Sequence, residues 1–576
     1  RIDLNTFLTS DADIRACLAS GDWMQAFTTT PGDPLPPPPM PSSPPPLPPN
    51  TPLQLAFAQA GTELAQFIID HLYNIYQTIF GHDGVNTFNT IDRGAGAEAL
   101  RLCPVTADLL PAYRLKYGNN RTLVFDRNTS SFDVDGTPVR SCVGPQQGDT
   151  WGTLICSVAH HRSFSLTQIR SPSATLIGFA DDGHFADPSD TTAYSSLLFF
   201  RANLTARTGV TPNDKGGCIS LTSDLSFAPA SFPGSPHHPT LNPSNFAYPV
   251  LGGLVGNPLV VSQALKARVL ELLVPLDNLR YLHDIGKLKN SLQIQERLIS
   301  SCACASTTHL QAMHPPAVFL DAAAASDKAI LHAAALCYRP PPQSSPDDLS
   351  RARAILALPS HMAGRGILLA SATSQATFLC ARIRALAHAR TLHPLFTHID
   401  VLSSECPSIA PLRNLHAHFS DMHAACLATY KTVDDADLSF CTFGTASARF
   451  RPQGLPSTAA SDIPLEACDP DPDIPSAMRF PTLRQFPSLD VLQGLEPTRF
   501  KGWRKTLTSI HGHCQWIALY LRAPSRSKAI LISQSQPYAL ACVTADLADP
   551  LQKINTDILR PALLYHLHLP QLTTDP

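Results

Sequence analysis

The sequence predicts an α+β protein with an antiparallel sheet and packed helices, and three observations predict it. Amphipathic helical periods alternate with short apolar, β-branched runs from about residue 53 to residue 257. Ala174-Thr175-Leu176-Ile177 leads through Gly178-Phe179-Ala180-Asp181-Asp182-Gly183 into His184-Phe185-Ala186, the pattern of a tight β-hairpin turning at Asp-Asp-Gly. Beyond residue 258 the chain is dominated by helical periodicity, with long Ala/Leu/His-rich stretches.

The elements follow in order. Residues 1–30 carry a short helix near Ile14–Met24. Residues 31–52 are dominated by Pro36–Pro39 and Pro44–Pro46, which favour polyproline II and cannot build a core. Leu64, Ile68, Leu72, Ile75 and Ile79 recur at helical spacing, with Thr62 as N-cap and Gly81 closing the helix. A connecting stretch, His82 to Thr90, and a second helix near Gly94–Leu102 come next. Tyr117–Phe125 and Phe132–Val139 resemble strands, and Trp151–Arg162 a helix. After the Asp-Asp hairpin, Tyr194, Leu197, Leu198 and Phe200 mark an amphipathic helix ended by Gly209. Val260–Leu273, Leu288–Ser300, Ser326–Cys337 and much of 347–440 read as helical, with Pro340–Pro346 as a breaker. Residues 451–490 form a Pro/Asp-rich connector, and the tail from 499 mixes helices with a strand at Ala529–Ile532.

Composition bounds the function. A chain of 576 residues with 44% apolar content can bury several cores. The net charge of −3 gives no global basic field, so nucleic-acid binding needs local basic grooves. Fifteen cysteines without a C-x-x-C pair favour reduced thiols and an intracellular, nuclear or cytoplasmic setting. Cys302-Ala303-Cys304 with His309, and His511-Gly512-His513-Cys514, are weak metal patterns better read as packing. No 18-residue apolar run signals a membrane span. The start at Arg1 reads as a fragment or a conceptual translation.

Five constellations carry the chemistry. His82-Asp83 is followed by Asn86-Thr87-Phe88-Asn89, and Gln147-Gly148-Asp149 precedes a helix. A glycine there admits close backbone approach, and helix N-terminal amides favour phosphate. The Asp181-Asp182 pair is costly to hold together unless a cation or hydrogen bonds neutralise it. Gly209 is followed by Lys215, and Leu251-Gly252 forms a turn.

In this order the five elements resemble reverse transcriptases of the non-LTR retrotransposon type, across roughly residues 53–345 and more loosely to the end. The resemblance implies a right-hand polymerase palm with fingers at 53–257, a helical thumb at 258–345 and a helical extension at 346–576, after a proline-rich remnant at 1–52. It implies RNA-directed DNA polymerisation: an RNA template, a DNA primer and deoxynucleoside triphosphates, with two Mg2+ ions, replaceable by Mn2+. Asp83, Asp181 and Asp182 are then the catalytic metal ligands. Phe88 excludes a ribose 2′-hydroxyl, Gln147 and Gly148 line the nucleotide pocket, and Lys215 lies near the triphosphate. Leu251 and Gly252 stand where the family grips nucleic acid, and Leu298–Pro316 and Leu358-Pro359 with Gly364-Arg365-Gly366 resemble its thumb and extension.

The strongest local basic patch is Arg499–Lys528. Arg499, Lys501, Arg504 and Lys505 are its nucleic-acid candidates, interleaved with Trp503, Trp516 and Tyr520 for base stacking. Two departures from the family stand out. Residues 31–52 carry one charge, Asp33, where basic fingers would hold a triphosphate, and Thr150-Trp151-Gly152 replaces the usual Pro-Leu-Gly. No endonuclease domain or Cys/His knuckle is evident. They motivate an alternative: a decayed or repurposed retroelement protein that binds nucleic acid without copying it.

Overall fold

The computed structural model describes residues 53–54, 61–76, 78–85, 87–103, 106–117, 121–122, 140–141, 144, 151–179, 181–213, 216–220, 225–284, 291–338, 340–359, 364–392, 396–432, 486–494, 503–524, 527–528, 530–531 and 567. The expected helix at 14–24, the proline run, the strand at 132–139 and the connector up to residue 485 lie outside them. The fold is α+β with helices dominant and a small, largely antiparallel sheet. Among the described residues no helix is long and apolar enough to cross a membrane. The chain divides into two compact units, Arg1–Gly61 with Ile75–Tyr248, and Thr62–Asn74 with Pro249–Pro576.

The first unit is built on β1 (Leu53–Gln54), β2 (Thr78–Gly84), β5 (Thr175–Phe179), β6 (Asp182–Ala186), β7 (Pro212–Asn213) and β8 (Cys218–Ser220). Their order is β1-β5-β6-β2-β7, with β8 also on β2. The short β3 (Arg121–Thr122) and β4 (Arg140–Ser141) pair separately. Among its helices are α2 (Thr87–Thr90), α3 (Arg93–Leu102), α4 (Leu110–Tyr117), α5 (Gly152–Arg170) and α6 (Asp190–Thr208). In α6, Ala193, Leu197, Phe200 and Leu204 recur every three or four residues and are fully buried. Its start is capped by the Ser189 hydroxyl, which accepts from the Thr192 amide at 3.3 Å. They pack with Phe164 of α5 on Phe80, Leu176 and Phe185, which share one face of the sheet.

Glycines flank the two acids because of that packing. Gly178 and Gly183 are cross-strand partners, and the Phe164 ring lies over both. A Cβ would come within 2.8 Å of it at Gly178 and 3.1 Å at Gly183. The hairpin is also two pairs longer than the sequence suggests. Phe179 pairs with Asp182 and Gly178 with Gly183, so Asp182-Gly183 belongs to the strand and not to the turn. Asp182 is thereby the first residue of a strand.

Three further sequence expectations are corrected. The helix expected to reach Gly81 is α1 (Gly61–Tyr76), and Ile79 and Gly81 belong to β2. Ile79 is buried in the sheet, whereas Ile75, at the end of α1, is 44% exposed. Tyr117 ends a helix rather than starting a strand, because its ring meets Tyr113 one turn earlier at 5.1 Å. Ser527, Lys528, Ile530 and Leu531 are helical, not extended.

The second unit holds most of α1 and a set of helices. They are α7 (Pro258–Asp284), α8 (Ser291–Leu298), α9 (Thr308–Met313), α10 (Pro316–Tyr338), α11 (Pro346–Ala357), α12 (Ala370–Leu392), α13 (Pro411–Thr432), α14 (Leu489–Gln493) and α15 (Trp503–Arg522). The segment with Cys302 and Cys304 runs through a π-helical turn, Ile299–Ala303. Buried ions tie the unit together. Arg382 pairs with Asp70 at 3.2 Å, and Arg365 pairs with Glu296, which accepts from the Tyr338 hydroxyl at 2.7 Å. Starting from Tyr248, the last residue of the first unit, a hairpin of β9 (Tyr248–Val250) and β10 (Gly253–Val255) turns at Leu251-Gly252.

Candidate functional site

The site is assembled where β2 and β6 run side by side. Gly81 pairs with His184 and His82 with Gly183. One step further, that register sets Asp83 opposite Asp182. Directly opposed residues of an antiparallel pair project to the same face, with Cβ atoms about 4.5–5.5 Å apart. Asp181 occupies the adjoining turn. Asp83 and Asp182, nearly a hundred residues apart in sequence, therefore share the face opposite Phe80 and Phe185, and Asp181 lies in the turn at the same end of the sheet.

Their electrostatics reflect the crowding. Burial, followed by the charges of Asp181 and Asp83, raises the Asp182 carboxyl from 3.8 to about 7. Asp181 is raised too, first by burial and in lesser part by Asp83. Asp83 is oriented from its other side: the Asn213 amide on β7 donates to its Oδ2 at 3.1 Å. Arg201 of α6 in turn donates to the Asn213 carbonyl at 3.3 Å. Asn213 lies in the Asn213-Asp214-Lys215 stretch, but sequence alone gave it no role. Its cross-strand pairing with Asp83 does.

Carboxylate oxygens are donors of the kind a hard divalent cation takes. Among the described residues no group of three or more His, Cys, Asp or Glu side chains is placed to hold a metal ion. Magnesium does not require one: it keeps waters and binds through one or two carboxylates plus substrate phosphates. A partly protonated Asp182 would yield its proton to such an ion, and like charges held on one face would be relieved by it.

Phe88 lies on α2, half-buried against the core containing Phe80 and Ile91. The backbone of Phe88 and Asn89 is held by Gly144, where a Cβ would fall 2.1 Å from the Phe88 carbonyl oxygen. Arg93 fastens the same segment, donating to the Gly144 carbonyl at 3.2 Å. Trp151 packs with Leu100, Tyr113, Tyr117 and Ile155, so its bulk is taken up by a core. Gln147, Gly148 and Lys215 lie outside the described residues.

In the second unit, Leu251 has φ 46° and Gly252 φ 94°. A left-handed leucine costs about 1–2 kcal/mol and is the kind of local strain that collects at functional turns. The C-terminal patch is altered by the fold. Trp503, Trp516 and Tyr520 are all at most 2% exposed, so they are core residues and not a stacking surface. Arg504 is exposed at the start of α15, whereas Arg499, Lys501 and the Lys505 side chain lie outside the described residues. Burial raises the Cys304 thiol to about 12 and lowers His309, as expected of packed side chains.

Comparison with protein-family models and with curated proteins finds no match to this chain.

Proposed function

We propose that the chain is an RNA-directed DNA polymerase of the retrotransposon type, acting by two-metal nucleotidyl transfer to a primer 3′-hydroxyl. The observation that supports this reading is that Asp83 comes close enough to Asp181 and Asp182, at one end of the β2–β6 pair, for their charges to act on one another. Asp83 and Asp181 would hold two Mg2+ ions with Asp182 assisting, and the ions would activate the hydroxyl and neutralise the leaving pyrophosphate. The chain's own residues supply the frame: Asn213 fixes one Asp83 oxygen, and the glycine pair under Phe164 holds the hairpin flat on its helices. Phe88, braced by the core and Gly144, would favour deoxynucleotides, and Gln147, Gly148 and Lys215 would meet the triphosphate. Leu251-Gly252, Arg499, Lys501, Arg504 and Lys505 would contact template and primer. A nuclear or cytoplasmic setting belongs to the same proposal.

Primer extension on an RNA template with Mg2+ and deoxynucleotides tests it. Asp83→Asn and Asp181→Asn should each reduce extension to background while the circular dichroism spectrum is kept. Variants as active as wild type would refute the ligand assignment. The second reading, a scaffold that binds nucleic acid without copying it, rests on the uncharged proline run where basic fingers belong. Salt-sensitive binding without turnover would select it.

A further inference from the structure

Directly beneath the carboxylates sits a side chain to which the sequence reading gave no role. Tyr248, the first residue of β9, is 4% exposed and lies on the carboxylate face of the β2–β6 pair. Its ring covers Gly81 of β2: a Cβ there would fall 1.7 Å from the Tyr248 hydroxyl oxygen and 2.6 Å from Cζ. The same hydroxyl is 3.0 Å from Nδ1 of His184 on β6, with the two rings edge to face at 5.8 Å. Phe246 braces the tyrosine ring at 6.4 Å.

Gly81 and His184 are themselves cross-strand partners. Side chains alternate along a strand, so the next pair on this face is Asp83 and Asp182. Tyr248 thus touches both strands one same-face step below the acids, one through its ring and the other through its hydroxyl. Like charges placed directly opposite push strands apart. A clamp across the neighbouring pair opposes that, and it works only because position 81 has no side chain.

We infer that Tyr248 is a positioning residue of the carboxylate site, clamping β2 to β6 through Gly81 and His184 so that Asp83 and Asp182 keep the spacing a divalent cation needs. The inference rests on the two-metal reading of the acids. The Tyr248 hydroxyl and His184 Nδ1 share this hydrogen bond at 3.0 Å, the direction following the histidine tautomer. Tyr248→Phe keeps the ring over Gly81 and deletes only this bond.

The test is Mn2+ titration of the full chain by electron paramagnetic resonance, with primer extension over a range of Mg2+ concentrations. Outer-shell partners of a metal site are worth about 10–100-fold in affinity. Tyr248→Phe should weaken Mn2+ binding by about tenfold, the low end of that range. Extension should fall at low Mg2+ and recover at high Mg2+. A merely structural residue would lower Tm and depress extension equally at every metal concentration, and that result overturns the inference. If Tyr248→Phe does not fold, His184→Gln removes the ring nitrogen bonded to the hydroxyl and must show the same weakened, metal-rescued behaviour. Wild-type affinity in the folded variant, where wild type binds Mn2+ and Asp83→Asn does not, sinks the clamp and leaves the site reading intact. Absence of Mn2+ binding by wild type sinks both.

Discussion

Replacing Asp182 by asparagine should stabilise the metal-free protein, and by an amount that depends on pH. The substitution keeps size and removes a charge that the fold holds beside Asp181 and Asp83. The carboxyl is raised from 3.8 to about 7. At about 1.36 kcal/mol per tenfold change in proton affinity, the ceiling is about 4 kcal/mol. Solvent screening of a partly exposed carboxylate brings the expected gain to about 2 kcal/mol. Because the folded-state value lies above the unfolded one, both states are protonated below about pH 4, and the variant should match wild type there. Between about pH 4 and 7 the unfolded chain ionises while the folded chain keeps its proton, so wild type loses stability as pH rises. Above pH 7 the full penalty is present. Urea unfolding in EDTA at pH 4, 6 and 8 measures the difference directly. A variant less stable than wild type at pH 8, or a pH-independent difference, would refute the crowding argument. Saturating Mg2+ should then stabilise wild type more than the variant, because the site that keeps all three carboxylates gains more binding free energy.

Two further outcomes are expected. Glu296→Gln should cost about 3–5 kcal/mol in urea unfolding, because it leaves the Arg365 guanidinium in a fully buried position without its counter-charge; a loss under 1 kcal/mol would contradict the pairing. Burial lowers His71, His160 and His184 from 6.5 to about 4, and His314 to about 3. Their folded-state values lie below the unfolded one, so the stability they lend is present above about pH 6.5 and lost as pH falls towards 4. Chemical denaturation at stepped pH should show stability dropping through that window, and a flat profile down to pH 4.5 would argue that these rings are solvated.

Much of the local structure was legible. The β-branched run before Gly178 and the periodic Ala193, Leu197, Phe200 and Leu204 announce their elements, because they report which side must be buried. The errors fell where tertiary pairing overrode local spacing. Ile79 continues a helical period from Ile68 and Ile75, yet β2 recruits it because β6 and β8 offer partners. The tryptophans and tyrosine of α15 look like a stacking surface beside basic residues. Yet Trp503, Leu507, Ile510, Ile517 and Tyr520 recur at helical intervals and are buried, a periodicity that could have identified them as core.

By itself the sequence determined which acids this protein carries, in what order, and that a glycine-flanked hairpin bears two of them. Only the tertiary structure decided that Asp83 faces Asp182, that Asn213 steadies it, and that Tyr248 fits over Gly81. Cross-strand register is set by hydrogen bonds and side-chain volumes contributed from residues a hundred or more positions away. A one-residue slip would turn each of these side chains to the other face.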